Sequence, residues 1–133
     1  FGAQKGGYPV LQALATLAYD GRRATFFRGE LLAALRILDQ GNIGVEALRG
    51  SWAGAMGQCQ FMPSTYLNYA VDGDDDGVSD IWDNQLDVFA SMANYLRAEG
   101  WKRGMGWGVA VLPELLAPIP LDAPIESVCA DGA

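Results

Sequence analysis

Apolar residues recur at helical spacing in three stretches of the chain. From Tyr8 to Tyr19, Val10, Leu14, Leu17 and Ala18 share one face, Pro9 suits a first turn and Asp20-Gly21 stops the run. From Arg22 to Asp39, Phe27, Leu31, Leu35 and Leu38 form a second stripe, closed by Gly41-Asn42. The short Asp20-Gly21 link predicts that these two helices pack antiparallel. Residues 42–62 read as loop, with Gly44, Gly50, Gly54 and Gly57. Pro63 opens a short helix to Tyr69, with Tyr66 and Ala70 inward. A third long helix spans Gln85 to Glu99 with a stripe of Leu86, Phe89, Ala93 and Leu96; Gly100 is placed to end it as a left-handed cap, with Trp101 folding back on the last turn. Beyond Gly104 the pattern breaks: Trp107–Leu112 reads as a short strand, and Pro113, Pro118, Pro120 and Pro124 oppose helix and sheet alike. No repeat is visible, and the fold class expected is mainly α.

Composition narrows the chemistry. The 133 residues are 50% hydrophobic, enough for one domain with a core. The net charge of -7 argues against a nucleic-acid partner, which calls for a basic surface. That charge is local: Asp72, Asp74, Asp75, Asp76, Asp80 and Asp83 lie in one segment, and without them the chain is left at about -1. The absence of His removes His-based catalysis and His-ligated zinc. Cys59 and Cys129 form no metal motif; a disulfide between them and two separate thiols both remain open. No stretch approaches ~18 uninterrupted apolar residues. The opening Phe1-Gly2-Ala3, without Met, reads as an excised or processed piece, so truncation at both ends is expected.

The segment Asp72-Gly73-Asp74-Asp75-Asp76-Gly77-Val78-Ser79-Asp80-Ile81-Trp82-Asp83 has the EF-hand calcium layout. Carboxylates stand at positions 1, 3, 5, 9 and 12, Gly77 at the sharp sixth position, and Val78 offers its carbonyl at the seventh. Calcium takes roughly 6–8 hard oxygens, and this spacing curls the chain round one point. The expected ligands are therefore Asp72, Asp74, Asp76, Val78, Asp80 and Asp83, holding a structural Ca2+. Asp83 replaces the usual Glu at position 12, which predicts weaker affinity. The bland alternative is a solvated acidic turn.

Gly50 to Tyr66 combines small residues, aromatics and uncharged hydrogen-bonding groups (Ser51, Gln58, Gln60), a mixture suited to the apolar faces and polar edges of a sugar. Three segments resemble the MltB-type lytic murein transglycosylases: Gly50-Ser51-Trp52-Ala53-Gly54-Ala55-Met56-Gly57 with Gln60-Phe61-Met62-Pro63-Ser64; the Asp72–Asp83 loop with Ala93-Asn94-Tyr95-Leu96 on the following helix; and Phe1-Gly2 leading into Leu14–Ala18 and Arg22–Phe27. Together they cover roughly residues 1–108, the first two being specific in combination.

The resemblance implies a goose-lysozyme-like α domain with one EF-hand-like calcium loop over residues 1–108, and in 109–133 the start of a further subdomain or an irregular tail. It implies peptidoglycan glycan strands as partner, cleavage of the MurNAc–GlcNAc β-1,4 bond to 1,6-anhydromuramic ends, and a monomer in the periplasm, anchored in some parents at the outer membrane. Ser51, Gln60 and Tyr95 would line the sugar groove, with Met56 and Tyr66 beside them. Ser51 is equally readable as a helix cap or turn residue, Tyr95 as plain core, and Met56 and Tyr66 as packing. Family enzymes use a single Glu as acid and then base. Its motif ends in an aromatic residue and Gly, which places that Glu three positions before Phe1; Glu30 (solvated on its helix), Glu46 and Glu99 are poor substitutes. The chain alone is therefore expected to bind glycan without cutting it. Against this stand an inactive, calcium-stabilised carbohydrate-binding module and an EF-hand sensor; the single loop and the sugar-type segment weigh against the sensor. Cys59 departs from the family pattern, in which Pro or Gly is usual.

Overall fold

The structure, a computed structural model, describes residues 5–104 with 106 and 108. The chain divides into two units, Phe1–Trp101 and Lys102–Ala133. Of the second, Lys102 to Gly104 are exposed and Gly104 has φ 92°; the expected strand at Trp107–Leu112 and the proline-rich tail fall outside the described residues.

Among the described residues the first unit holds four helices and one two-stranded ribbon: β1 (Tyr8–Pro9), α1 (Val10–Asp20), α2 (Ala24–Asp39), β2 (Arg49–Gly50), α3 (Pro63–Tyr69) and α4 (Gln85–Ala98). Tyr8 was expected to be helical. It precedes Pro9, whose ring disfavours the α region for its neighbour, and instead it pairs antiparallel with Gly50 while Pro9 pairs with Arg49. Val10 N–H then donates to the Leu48 carbonyl at 3.1 Å, tying the start of α1 to the loop before β2. The break between α1 and α2 is wider than the Asp20-Gly21 signal suggested, because Arg23 sits at φ 59° and α2 starts only at Ala24. The Arg23 guanidinium lies 4.4 Å over the Phe26 ring.

α1 and α3 both pack against α2. The core draws on widely separated parts of the unit: Val10 and Leu14 from α1, Ala34 and Ile37 from α2, Leu48, Met56 and Phe61 from the loop, Tyr66 from α3, and Ile81 and Trp82 from the end of the acidic loop, with Tyr95 of α4 packed against them. Two predicted stripes are corrected. On α2 the innermost residues are Glu30, Ala33, Ala34 and Ile37; Phe27, Leu31 and Leu38 flank them, while Leu35 is exposed. On α4 the face is rotated. Leu86, Phe89, Ala93 and Leu96 are exposed, and Asp87, Val88 and Ser91 are buried with Tyr95 half-buried. The inner face of α4 is set by polar ties. Ser91 Oγ accepts from Val71 N–H at 2.9 Å, Asn94 Nδ2 donates to the Tyr69 carbonyl at 3.0 Å, and Asp87 binds the acidic loop. Gly100 (φ 90°) ends α4 as predicted, and Trp101 N–H reaches back to the Leu96 carbonyl at 2.9 Å.

Candidate functional site

The segment between β2 and α3 doubles back twice on itself. Ser51 N–H donates to the Ala55 carbonyl at 2.7 Å, and Met56 and Phe61 exchange both backbone hydrogen bonds at 2.8 and 3.1 Å. The Ser51 hydroxyl oxygen accepts from the amides of Ala53 and Ala55, at 3.2 and 3.1 Å, so the turn reading of this residue is realised. Gln60 stands at the tip of the second turn with φ 52°, a left-handed conformation rare for a residue with a Cβ. Its side chain is exposed, and its Nε2 donates to the Gly57 carbonyl at 2.9 Å. Met56, at the base of the turn, is completely buried, while Gln60 at its tip is open.

Aromatic rings stand beside this bend. Tyr95, on α4, is half-buried with its ring centroid 5.6 Å from Phe61 and 5.3 Å from Tyr69. Tyr66 is a core residue, 5% exposed, whose hydroxyl donates to the Ser79 carbonyl at 2.8 Å. Burial, then the charges of Asp80 and Asp87, push its phenol pKa up. Of the five sugar-binding candidates, Gln60 is thus exposed and Tyr95 half-buried, Ser51 braces the turn, and Met56 and Tyr66 are buried. A cavity of about 410 Å³ borders Tyr66, Arg49, Val78 and Trp82, and a more open one of about 590 Å³ surrounds Glu30; Ser51, Met56, Gln60 and Tyr95 line neither.

The bend is fastened to the acidic loop. Gln58 N–H donates to the Ile81 carbonyl at 2.9 Å and its Nε2 to the Trp82 carbonyl at 3.0 Å. Gly57 is required at this junction, since a Cβ there would lie 2.6 Å from the Ile81 carbonyl oxygen.

Within the loop, Asp72 accepts from the amides of Asp74, Asp76 and Gly77, and Gly77 turns at φ 95° as its position predicts. These amides, Gly77 first, hold the Asp72 carboxyl below its usual pKa. Asp76 accepts from Val78 N–H, and Asp80 from the amides of Trp82 and Asp83. Asp83 is exposed and pairs with Lys5. The carboxylates brought together are Asp72, Asp74 and Asp87, with oxygens within 4.8 Å of one another. Asp76, Asp80 and Asp83 are not in that group, and Asp87 is a member that sequence reasoning missed. Asp87 is fully buried, its Oδ1 accepting from Gly73 N–H and its Oδ2 from Asp80 N–H, both at 2.7 Å. Its sequence signal was ambiguous: an acid three residues after the N-cap Asn84 reads as ordinary helix capping. Three clustered carboxylates make a hard-oxygen set suited to a hard cation.

Glu30 is the second missed residue. Expected in solvent, it is 5% exposed, and its two oxygens accept from Ser64 N–H at 2.9 Å and from Ser64 Oγ–H at 2.7 Å.

Comparison with known proteins decides the family. The model of the transglycosylase SLT domain matches residues 1–120. The chain belongs to this transglycosylase family. Membrane-bound lytic murein transglycosylase B of Escherichia coli (strain K12) is 45% identical over 105 residues, which are 78% of this chain and 29% of that protein. SltB3 from Pseudomonas aeruginosa, solved in complex with NAG-NAM-pentapeptide, is 53% identical over 80% of this chain and 28% of its own, with a TM-score of 0.76. The Escherichia coli lytic transglycosylase Slt35, solved in complex with calcium, is 45% identical over 77% of this chain and 33% of its own, with a TM-score of 0.73. The transglycosylase-family chain thus spans about a third of the length of these relatives. Its mainly helical, lysozyme-like fold is theirs.

Proposed function

We propose that this chain forms the glycan-gripping part of a peptidoglycan lytic transglycosylase, whose reaction cleaves the MurNAc–GlcNAc β-1,4 bond and leaves 1,6-anhydromuramic ends. The observation that carries this reading is the exposed Gln60, held at positive φ and followed in the chain by Phe61, whose ring meets that of the half-buried Tyr95. An amide that both donates and accepts suits acetamido and hydroxyl groups, and neighbouring ring faces suit the apolar side of a pyranose. SltB3, bound to NAG-NAM-pentapeptide, supports it as a relative. Gln60 and Tyr95 touch the sugar, Ser51 fixes the turn, and Met56 and Tyr66 form its floor.

None of the described Glu residues is set up as the acid. Both Glu30 oxygens are taken by Ser64, and Glu46 and Glu99 stand exposed outside the bend. On the described residues, the chain by itself reads as a glycan-binding module without turnover. Asp72, Asp74 and Asp87 hold a calcium ion with a structural role; the calcium complex of Slt35 and the clustered carboxylates support this. The place of action is the periplasm, outer-membrane-anchored in the parent and acting as a monomer; the membrane-bound Escherichia coli relative supports the anchoring. No described helix is long and apolar enough to cross a membrane.

The test is calorimetric titration of GlcNAc–MurNAc-pentapeptide into the chain. Binding is expected, weakened about tenfold by Gln60→Ala and by Tyr95→Ala if each loses contacts of the usual size. A chain that does not bind, or variants that bind as tightly as the parent, overturn the reading.

A further inference from the structure

Glu30 lies on α2, far in sequence from the bend, yet it is buried and spends both carboxylate oxygens on Ser64. Burying a carboxylate is costly unless its hydrogen bonds are made, so such a group is retained where it fixes something. What it fixes is the exit of the bend. Ser64 follows Gln60 by four residues, and between them Phe61 and Pro63 are buried in the core. The entry is fixed separately, by the Ser51 hydroxyl on the amides of Ala53 and Ala55. Between these anchors Gln60 holds φ 52°. A residue with a Cβ stays in that region only when its surroundings over-determine it.

We propose that Glu30 is a positioning residue for glycan binding: by clamping Ser64 it anchors the end of the bend and holds Gln60 at the positive φ that presents its amide. The glycan part rests on the function proposed above. Glu30 itself touches no sugar. Loss of its carboxylate frees the exit and leaves only the Met56–Phe61 pair and the Gln60–Gly57 bonds to hold the positive φ at Gln60, which loosens the turn. The conservative Glu30→Gln retains the clamp, because the amide oxygen accepts from Ser64 N–H and the amide NH₂ donates to Ser64 Oγ.

The experiment measures amide hydrogen exchange by NMR and calorimetric affinity for GlcNAc–MurNAc-pentapeptide on the full 133-residue chain. The variants are Glu30→Ala, Glu30→Gln and, as a control for general destabilisation, Ile37→Val, a fully buried position on the same helix. Glu30→Ala is expected to speed exchange at the Gln60 and Phe61 amides about tenfold beyond any change in α1, and to weaken affinity by about tenfold. Glu30→Gln is expected to stay within about threefold of the parent in both. Ile37→Val is expected to lower Tm, to speed exchange evenly and to leave affinity unchanged. If Glu30→Ala changes exchange at Gln60 and Phe61 only in step with Ile37→Val, Glu30 is not the positioning residue. Should Glu30→Ala fail to fold, Ser64→Ala removes one of the two clamp bonds, and the same local exchange decides. Absence of affinity in the parent chain sinks the glycan reading instead, and the exchange data then judge Glu30 alone.

Discussion

Gly57 lies at the junction of the bend and the acidic loop. Its φ of 63° and the Ile81 carbonyl beside it leave no room for a side chain. In Gly57→Ala the methyl meets backbone, which cannot swing aside as a side-chain tip can, and the residue is also strained by about 1–2 kcal/mol through its positive φ. The two Gln58 bonds to Ile81 and Trp82 lengthen together. Thermal denaturation is expected to show Gly57→Ala melting on the order of 10 °C below the parent. Two residues on, Cys59 is half-buried with its thiol against the Val88 carbonyl, and burial pushes its pKa from 9.0 to about 11. The folded state thus holds the thiol proton more tightly than the unfolded chain does. The resulting stability is complete below pH 9.0 and is lost as pH rises toward about 11. In a reduced Cys129→Ser chain, iodoacetamide is expected to label Cys59 slowly at neutral pH and quickly only near its raised pKa. Fast labelling at neutral pH defeats this account of the site.

At the scale of elements, α4 shows what hydrophobic periodicity reads and what it cannot. Its extent and its Gly100 cap were legible, because caps and period are local properties. Its orientation was not. Leu86, Phe89, Ala93 and Leu96 repeat at helical spacing and read as a core stripe, yet Asp87, Val88 and Ser91 lie inside, since the acidic loop and the chain around Val71 need those polar partners. No local pattern announces that a carboxylate will be wanted by amides elsewhere in the fold. Glu30 escaped for the same reason, as its partner Ser64 is distant in sequence. In the bend, Gly, Gln and aromatic residues mark a candidate site in the sequence, but which side chain points out depends on a left-handed Gln60 that composition does not specify. In the acidic loop the spacing of Asp72 and Asp74 was legible, and the third carboxylate came from the helix beyond it. The rotation of α4 is directly testable. Val88→Ala, at a fully buried position, is expected to cost about 1–3 kcal/mol, and Leu86→Ala, at 59% exposure, less than about 1. Urea unfolding of both variants checks the order, and the reverse ranking means that α4 packs by its predicted stripe.

Across the whole unit, Asp87 joins three parts that sequence keeps apart. One oxygen holds Gly73 at the start of the acidic loop and the other holds Asp80 near its end, while the carboxylate sits in the cluster with Asp72 and Asp74. The segment that Asp80 begins carries Ile81 and Trp82 into the core and offers their carbonyls to Gln58. A cation on the cluster, as proposed above, would relieve repulsion among its carboxylates and so brace the bend through the loop. A ligand bound only by the folded state stabilises it by linkage, by about 2.7 kcal/mol at a hundredfold excess over Kd. For a domain of this size, saturating calcium is expected to raise Tm by roughly 10 °C over protein in chelator. Asp74→Asn is expected to shrink that shift while the calcium-free Tm changes little, since Asp74 is exposed and Asn retains an oxygen for Asn84. Asp76→Asn is expected to keep the shift, because Asp76 lies outside the cluster. Melting curves of the three proteins with and without calcium decide the ligand set. A shift abolished by Asp76→Asn as well as by Asp74→Asn moves the cation to the ordinary loop positions, which Asp74 and Asp76 share, and leaves Asp87 a purely structural acid.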